Sequence, residues 1–315
     1  MKLGNKINWL LTGDCNLDCW YCFASKGRIS DKGRNIEMAR ALVDGGVEKV
    51  TLSGGEPMLA AGVEDVVKIL GKNNVYVSLH TNGYFLNDEN LARMKDYLGD
   101  VYLPVDSMKR KVNDSTRGTG SLEVFKKGFD LLSREGVKAG VHTVVTPKNI
   151  GGLGKILKYI SAKDFFKWKA YEVFRGQREG EIFSHDGGVY DFAGDFLLAE
   201  DRIKKGNEDI EFVLDWDRAP YLFLNGDGDI RYTPWFFEGG KLFGNILEDG
   251  LEKIAGDVDS FVGSDAAEFF EGVSNLPLWA RAVEGANDPE EFGVIDAEHA
   301  DRFNLLVDLY EKHLG

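Results

Sequence analysis

The sequence predicts an α/β fold on a parallel sheet, either a partial barrel or a doubly wound sheet. Three observations lead there. Six short apolar runs alternate with six segments of helical period through the first two thirds of the chain, the pattern of repeated βαβ units. Polar or glycine-bearing segments follow the first four runs, at the strand ends where sites form in such sheets. A hydrophobic content of 43% and an aromatic content of 12% over 315 residues supply a sizeable core.

In order, residues 7–12 (INWLLT) read as a buried first strand and 36–44 as a helix stopped by Gly45-Gly46. Residues 49–53 (KVTLS) form the second strand, 63–70 a helix, 75–80 (VYVSLH) the third strand and 86–98 a helix. Strand four covers 101–105, a helix 122–135, strand five 137–145, a helix 153–160 and strand six 169–174. Beyond residue 174 the pattern changes. Residues 175–188 read as a glycine-rich, charged loop and 190–205 as a helix. Residues 211–216, 221–224 and 230–233 read as short strands, with a turn at 225–229 (NGDGD), and 247–255 and 299–314 as helices. The expected division is 1–208 as the main domain and 209–315 as a smaller α+β extension packed on it.

The formal charge of −14 opposes binding to a nucleic acid polymer, which needs a basic surface. No apolar run reaches 18 residues and residues 1–11 lack the pattern of a signal peptide, so a cytoplasmic protein with no membrane segment is expected.

The chemistry concentrates in residues 13–23, GDCNLDCWYCF, which hold all three cysteines of the chain, Cys15, Cys19 and Cys22. Three ligands are one short of a structural zinc site. They suit a four-iron cluster that keeps one iron open to a non-protein ligand, since electron-transfer clusters take four cysteines. Gly54-Gly55-Glu56-Pro57 directly follows the second strand. Glycines there allow close backbone approach, and a carboxylate suits an ammonium group. His80 and His142 lie on strands and read as buried, satisfied histidines.

The CxxxCxxC spacing with Tyr21 before the third cysteine, joined to GGEP, resembles the radical S-adenosylmethionine (SAM) superfamily. That resemblance implies a partial (β/α)6 TIM-like barrel rather than a doubly wound sheet. It also implies a [4Fe-4S] cluster on Cys15, Cys19 and Cys22, with SAM on the open iron. Reductive cleavage of SAM would give a 5′-deoxyadenosyl radical that takes hydrogen from a substrate, the chemistry being the cofactor's. The resemblance places Gly54, Gly55, Glu56 and Pro57 at the SAM amino group and Thr81 and Asn82 as further hydrogen-bonders. It places Asp106 and Ser107 near the ribose, Arg117 at the carboxylate and Tyr21 by the adenine. A low-potential donor, ferredoxin or flavodoxin, would supply the electron.

Within the superfamily, residues 46–57 (GVEKVTLSGGEP), Asp106-Ser107 with Arg117-Gly118, and 166–174 (FKWKAYEVF) resemble the viperin-like, nucleotide-dehydrating branch. That likeness implies a nucleoside triphosphate as the small-molecule substrate, its phosphates met by Lys167, Lys169, Arg175, Arg178 and Arg231, for which guanidinium forks and ammonium groups are suited. Tyr232 is the candidate for a hydrogen-donating tyrosine. The run 221–254 resembles the SPASM/twitch extension of peptide- and sugar-modifying members, but YTPW at 232–235 lacks the cysteine found there, so no auxiliary cluster is expected. A peptide or sugar substrate is the alternative. A non-catalytic iron–sulfur module is the distant one.

Overall fold

The computed structural model describes residues 6–22, 30–163, 165–173, 184–185, 188–189, 192–213, 221–233 and 241–262. Six parallel strands, β1 (Lys6–Thr12), β2 (Lys49–Gly54), β3 (Tyr76–His80), β4 (Asp100–Pro104), β5 (Ala139–Val145) and β6 (Lys167–Glu172), lie side by side in sequence order. A doubly wound sheet reverses its strand order at a switch point. Here no reversal occurs, so right-handed crossovers put every connecting helix on one face, as a partial barrel requires. The helices α1 (Lys32–Asp44), α2 (Val63–Lys72), α3 (Asp88–Met94), α4 (Arg110–Arg117), α5 (Ser121–Arg134) and α6 (Leu153–Ser161) make those crossovers.

Strand alternation sorts the two faces. Val50, Leu52, Val77, Leu79, Val101, Leu103 and Val141 are buried toward the helices, against residues such as Met38, Leu42, Val67, Leu70, Phe125, Phe129 and Ile156. The residues between them turn to the opposite, concave face, and many of those are polar. The sheet curls: the charges of Lys167 and Lys169 on β6 bear on Lys49 of β2, four strands away, or about 19 Å in a flat sheet.

The chain after β6 adds to both edges of this sheet. A two-stranded pair, β7 (Ser184–His185) and β8 (Gly188–Val189), is followed by α7 (Phe192–Lys204). Strand β9 (Ile210–Val213) pairs parallel with β6. Strand β10 (Tyr221–Asn225) pairs parallel with β1 and continues as antiparallel hairpins through β11 (Asp229–Thr233) and β12 (Lys241–Asn245). The turn expected at 225–229 joins β10 to β11, with Gly228 at φ 92°, a conformation glycine takes at no steric cost. Helix α8 (Leu251–Val262) closes the described chain.

Three expectations need correction or bounding. The helix expected at 247–255 starts only at Leu251, because Leu247 N–H donates to Asn245 Oδ1 at 3.1 Å and Asp249 Oδ2 accepts from Asn245 N–H at 2.9 Å, locking 246–249 into a turn. The stretch 175–188 expected as a loop contains β7 and the start of β8, which pair as a short antiparallel ladder, and helix α4 and strand β12 were likewise not foreseen. Helix α4 carries only one apolar residue, Val112, in eight, so no apolar stripe marks it. The helix expected at 299–314 lies outside the described residues. Among those described, no helix is long and apolar enough to cross a membrane.

Candidate active site

The cysteine loop leaves the C-terminal end of β1. Thr12 Oγ1 accepts from Asp14 N–H at 3.1 Å, Leu17 N–H points at Cys15 Sγ at 3.4 Å, and Cys22 N–H donates to Cys19 O at 3.0 Å. Cys15 and Cys19 are half-buried and Cys22 is exposed. Burial raises the Cys15 thiol and pushes Cys19 up to about 11, and in both the neighbouring cysteines add to the rise. Metal ions bind such thiols as thiolates, and the proton each thiol gives up passes to solvent. Among the described residues, no three His, Cys, Asp or Glu side chains converge on a point that would hold a single metal ion. Three soft thiols spread along one loop fit an iron–sulfur cluster, whose irons each take one of them.

Gly54 and Gly55 bring the end of β2 against that loop. Gly55 N–H donates to Thr12 O at 2.7 Å and Glu56 N–H to Asp14 O at 2.7 Å. A Cβ on Gly54, whose φ is 119°, would stand 2.4 Å from Thr12 O, and one on Gly55 2.2 Å from Asp14 O. The backbone these glycines approach is thus the cysteine loop's own. Pro57 is buried at the first position of a single 3-10 turn.

Glu56 is fully buried, and its carboxylate is occupied by protein donors. Oε1 accepts from Thr81 Oγ1 at 2.6 Å and Met58 N–H at 2.9 Å, and Oε2 from Asn82 N–H at 2.7 Å. Burial raises its pKa, and these hydrogen bonds oppose the rise. Asn82 in turn donates from Nδ2 to Asn16 Oδ1 at 2.7 Å, with Cys15 Sγ 3.9 Å away. Glu56, Thr81 and Asn82 therefore tie the ends of β2 and β3 to the cysteine loop.

A second network forms beyond β4. Asp106 is fully buried. Its Oδ1 accepts from Val144 N–H at 2.9 Å and Arg117 Nη2 at 3.2 Å, and Oδ2 accepts from Thr116 Oγ1 at 3.3 Å and from the Tyr21 hydroxyl. Arg117 Nε stands 2.8 Å from Oδ2, and the guanidinium lies over the Tyr21 ring, 5.4 Å from its centroid. The Cys19 thiol faces Arg117 O at 3.8 Å. Ser107 N–H and Asp106 N–H both donate to Asn113 Oδ1 at 3.2 and 2.8 Å. Burial opposes the charge on Arg117, but Asp106, Tyr21 and Cys19 together raise the guanidinium's pKa. Tyr21, Asp106 and Arg117 are thus brought together, at the third cysteine-loop contact. Asn113 on α4 is the organising residue that sequence reading missed.

The expected substrate cations do not form one cluster. Lys167 and Lys169 both face Glu211 of β9, at 3.5 and 3.2 Å. Arg231 lies on β11, on the other flank of the sheet, 3.3 Å from Asp229. Arg175 and Arg178 lie outside the described residues. Tyr232 needs correction as a hydrogen donor. It alternates to the helix-covered face with Trp9 and Leu224, is 5% exposed and meets Phe261 of α8 edge-on at 5.4 Å. The concave face instead gathers His80, Tyr102, His142 and Tyr171 into one group of rings. His80 finds Ser78 Oγ at 3.3 Å, as a satisfied histidine would, but His142 Nε2 is buried with no hydrogen-bond partner. Only their shared position on alternate strand residues could have signalled this group.

A curled parallel sheet with three thiols at its C-terminal rim, anchored from β1, β2, β3 and the β4 loop, defines a barrel enzyme built round a thiolate-held cofactor. The radical SAM superfamily profile matches residues 9–160. Mycofactocin maturase MftC of Mycolicibacterium smegmatis is 30% identical over 273 residues, 78% of this chain and 68% of that protein. An S-adenosylmethionine-dependent nucleotide dehydratase of Flammeovirga pacifica is 24% identical over 280 residues, 81% of this chain and 92% of that protein. Among solved structures, SuiB of Streptococcus suis bound to S-adenosylmethionine shares the fold with a TM-score of 0.63 at 13% identity, covering 86% of this chain and 67% of SuiB. The chain belongs to the radical SAM superfamily and is an enzyme of it, with SAM and an iron–sulfur cluster as its cofactors.

Proposed function

We propose that this enzyme removes hydrogen from a ribose carbon of a nucleoside triphosphate and expels water, in the manner of a nucleotide dehydratase. The observation that carries the reading is the likeness over 92% of the length of the Flammeovirga pacifica dehydratase. The concave face supports it: Lys49, Lys167 and Lys169 stand there against the carboxylates of Asp100 and Glu211, three cations to two anions, and an anionic substrate would take the place of Glu211 at the two β6 lysines.

Cys15, Cys19 and Cys22 would hold the cluster, of the [4Fe-4S] type because three ligands leave one iron free for SAM. Bound there, cluster and SAM would supply a 5′-deoxyadenosyl radical once a ferredoxin- or flavodoxin-like donor delivers an electron, and a second electron from that donor with a proton from solvent would quench the substrate radical left after water departs. The rest falls to the chain. Gly54 and Gly55 keep the cysteine loop pressed to β2, and Pro57 fixes the turn that follows. Glu56 acts by fixing the Thr81–Asn82 turn, which presents hydrogen-bonding groups toward SAM beside Cys15. Asp106, Ser107 and Arg117 hold the opposite rim, with Tyr21 stacked beneath the guanidinium. Of the extension expected at 209–315, the described strands β9 to β12 and helix α8 would flank the substrate pocket of 1–208.

The test incubates reduced, reconstituted enzyme with SAM and each of the four ribonucleoside triphosphates. One of them is expected to raise 5′-deoxyadenosine formation and to yield a product lighter by water. Yields unchanged by all four would remove the nucleotide reading. The 30% identity to mycofactocin maturase MftC favours a second reading, a peptide substrate. Deoxyadenosine formation that answers to a peptide encoded beside this chain's gene, and not to nucleotides, would establish that reading instead.

A further inference from the structure

His142, on the concave face, holds its Nε2 buried without a hydrogen-bond partner. His142 stacks on Tyr102 at 4.4 Å with the planes 28° apart, and meets His80 and Tyr171 edge-on at 4.6 and 5.3 Å. These contacts fix its ring on the concave face. Lys169 stands beside it in register on β6, its Nζ 3.2 Å from Glu211 of β9, a carboxylate that a bound phosphate would displace. Lys49, with Asp100 near it, lies at the start of β2, nearer the N-terminal end of the barrel. In the other direction, Val144 is the next residue of β5 on this face, and its N–H donates to Asp106 Oδ1 at 2.9 Å. His142 is therefore one layer, about 7 Å, below the Asp106–Arg117 pair, whose Arg117 carbonyl touches Cys19. From the cysteine loop inward the order is Arg117, His142, then the lysines.

The imidazole is uncharged there. Burial, then the charges of His80, Lys169 and Arg117, hold His142 well below the usual histidine range. A neutral ring offers one nitrogen as donor and the other as acceptor, which suits a hydroxyl rather than a phosphate. A buried polar atom without a partner is costly, and a ligand supplying that partner recovers the cost on binding.

Resting on the reading of a phosphorylated ribose substrate, we propose that His142 orients the substrate: its Nε2 hydrogen-bonds a ribose hydroxyl, while Lys49 and Lys169 receive the phosphate end. The sugar is thereby held one layer under the rim where hydrogen is removed, and His142 sets preference for a hydroxylated ring over a bare anion.

The experiment measures Kd on anaerobically reconstituted enzyme with SAM present. The probes are the four ribonucleoside triphosphates, ribose 5-phosphate and inorganic tripolyphosphate. Wild type is compared with His142→Phe, which keeps ring contacts and lacks nitrogens, with His142→Leu as a second nitrogen-free variant and His142→Gln as the conservative one. Circular dichroism checks folding. A ribose-bearing probe is expected to bind the nitrogen-free variants about tenfold more weakly, with His142→Gln recovering most of the loss. Tripolyphosphate and SAM affinities should stay within about twofold of wild type, since neither is assigned to His142. A triphosphate that binds wild type and the nitrogen-free variants alike overturns the role of His142 and leaves the nucleotide reading standing. Ribose 5-phosphate binding that depends on His142, with no triphosphate binding, removes the nucleotide and keeps the role. Failure of every ribose-bearing probe to bind wild type overturns both.

Discussion

Asp106 and Arg117 meet as a buried ion pair, Nε 2.8 Å from Oδ2, with the aspartate fully buried and the arginine 8% exposed. The pair joins the loop after β4 to the end of α4, and through the Arg117 carbonyl and Tyr21 it reaches the cysteine loop. Removing one charge strands the other. Asp106→Asn is expected to cost about 3–5 kcal/mol, the usual penalty for an uncompensated buried charge. The double replacement Asp106→Leu with Arg117→Met should cost much less than the sum of those two single replacements. Urea denaturation of wild type, Asp106→Asn, the two singles and the double decides it; a loss under about 1 kcal/mol for Asp106→Asn would show that the pair is not isolated from water.

Gly55→Ala tests the contact between β2 and the cysteine loop. Its methyl would meet Asp14 O at 2.2 Å, a backbone atom that cannot swing aside. The loop must move as a unit, carrying Cys15 with it. We expect a folded protein by circular dichroism with iron incorporation cut severalfold. Gly46→Ala, where no atom lies within 4 Å but φ is 73°, serves as the control: it should cost stability of about 1 kcal/mol and leave iron content intact.

Cys15→Ser, Cys19→Ser and Cys22→Ser should each reduce iron and sulfide content after anaerobic reconstitution, since a hydroxyl replaces a soft thiolate ligand. Iron analysis and the cluster's visible absorbance follow the effect. Wild-type protein that takes up zinc in place of iron and sulfide would refute the cluster assignment.

The two lumen histidines predict a pH dependence of stability. Burial, then Lys169 and Lys49, push His80 down to about 3, and burial also lowers His142, which faces His80, Lys169 and Arg117. In the unfolded chain both protonate near pH 6.5. Below that pH the unfolded state binds protons that the folded state refuses, so stability falls as pH drops from about 6.5 toward 3. Each histidine contributes up to about 1.4 kcal/mol per pH unit to the slope. Denaturation midpoints at pH 7, 6 and 5 should decline less steeply in His80→Phe than in wild type. Equal slopes would mean that His80 is hydrated and titrates normally.

Much of the barrel was legible before any coordinates. β1 to β6 fall close to the apolar runs, because a strand buried on its helix side must alternate or repeat apolar residues whatever its neighbours do. Asp31 caps α1 so that it begins at Lys32, four residues before its first apolar position, Ile36, through a side chain that accepts from Arg34 N–H at 2.8 Å, and a local cap of that kind lies outside any apolar count. Helix α4 escaped notice for the related reason that it packs by its asparagine and arginine, through Asn113 and Arg117.

The sequence by itself determined the thiol loop, the GGEP turn and the succession of strands and helices, because each depends on residues close together along the chain, whereas the order of strands in the sheet came only with their pairing. Tertiary structure alone decided which charges meet. It turned Lys167 and Lys169 toward Glu211, took Tyr232 to the helix side, enclosed Asp106 with Arg117, and left His142 with a nitrogen unpaired. Those outcomes depend on which strand residues share a face and on how far the sheet curls. Both follow from pairing register and crossover handedness, which bring together residues dozens of positions apart.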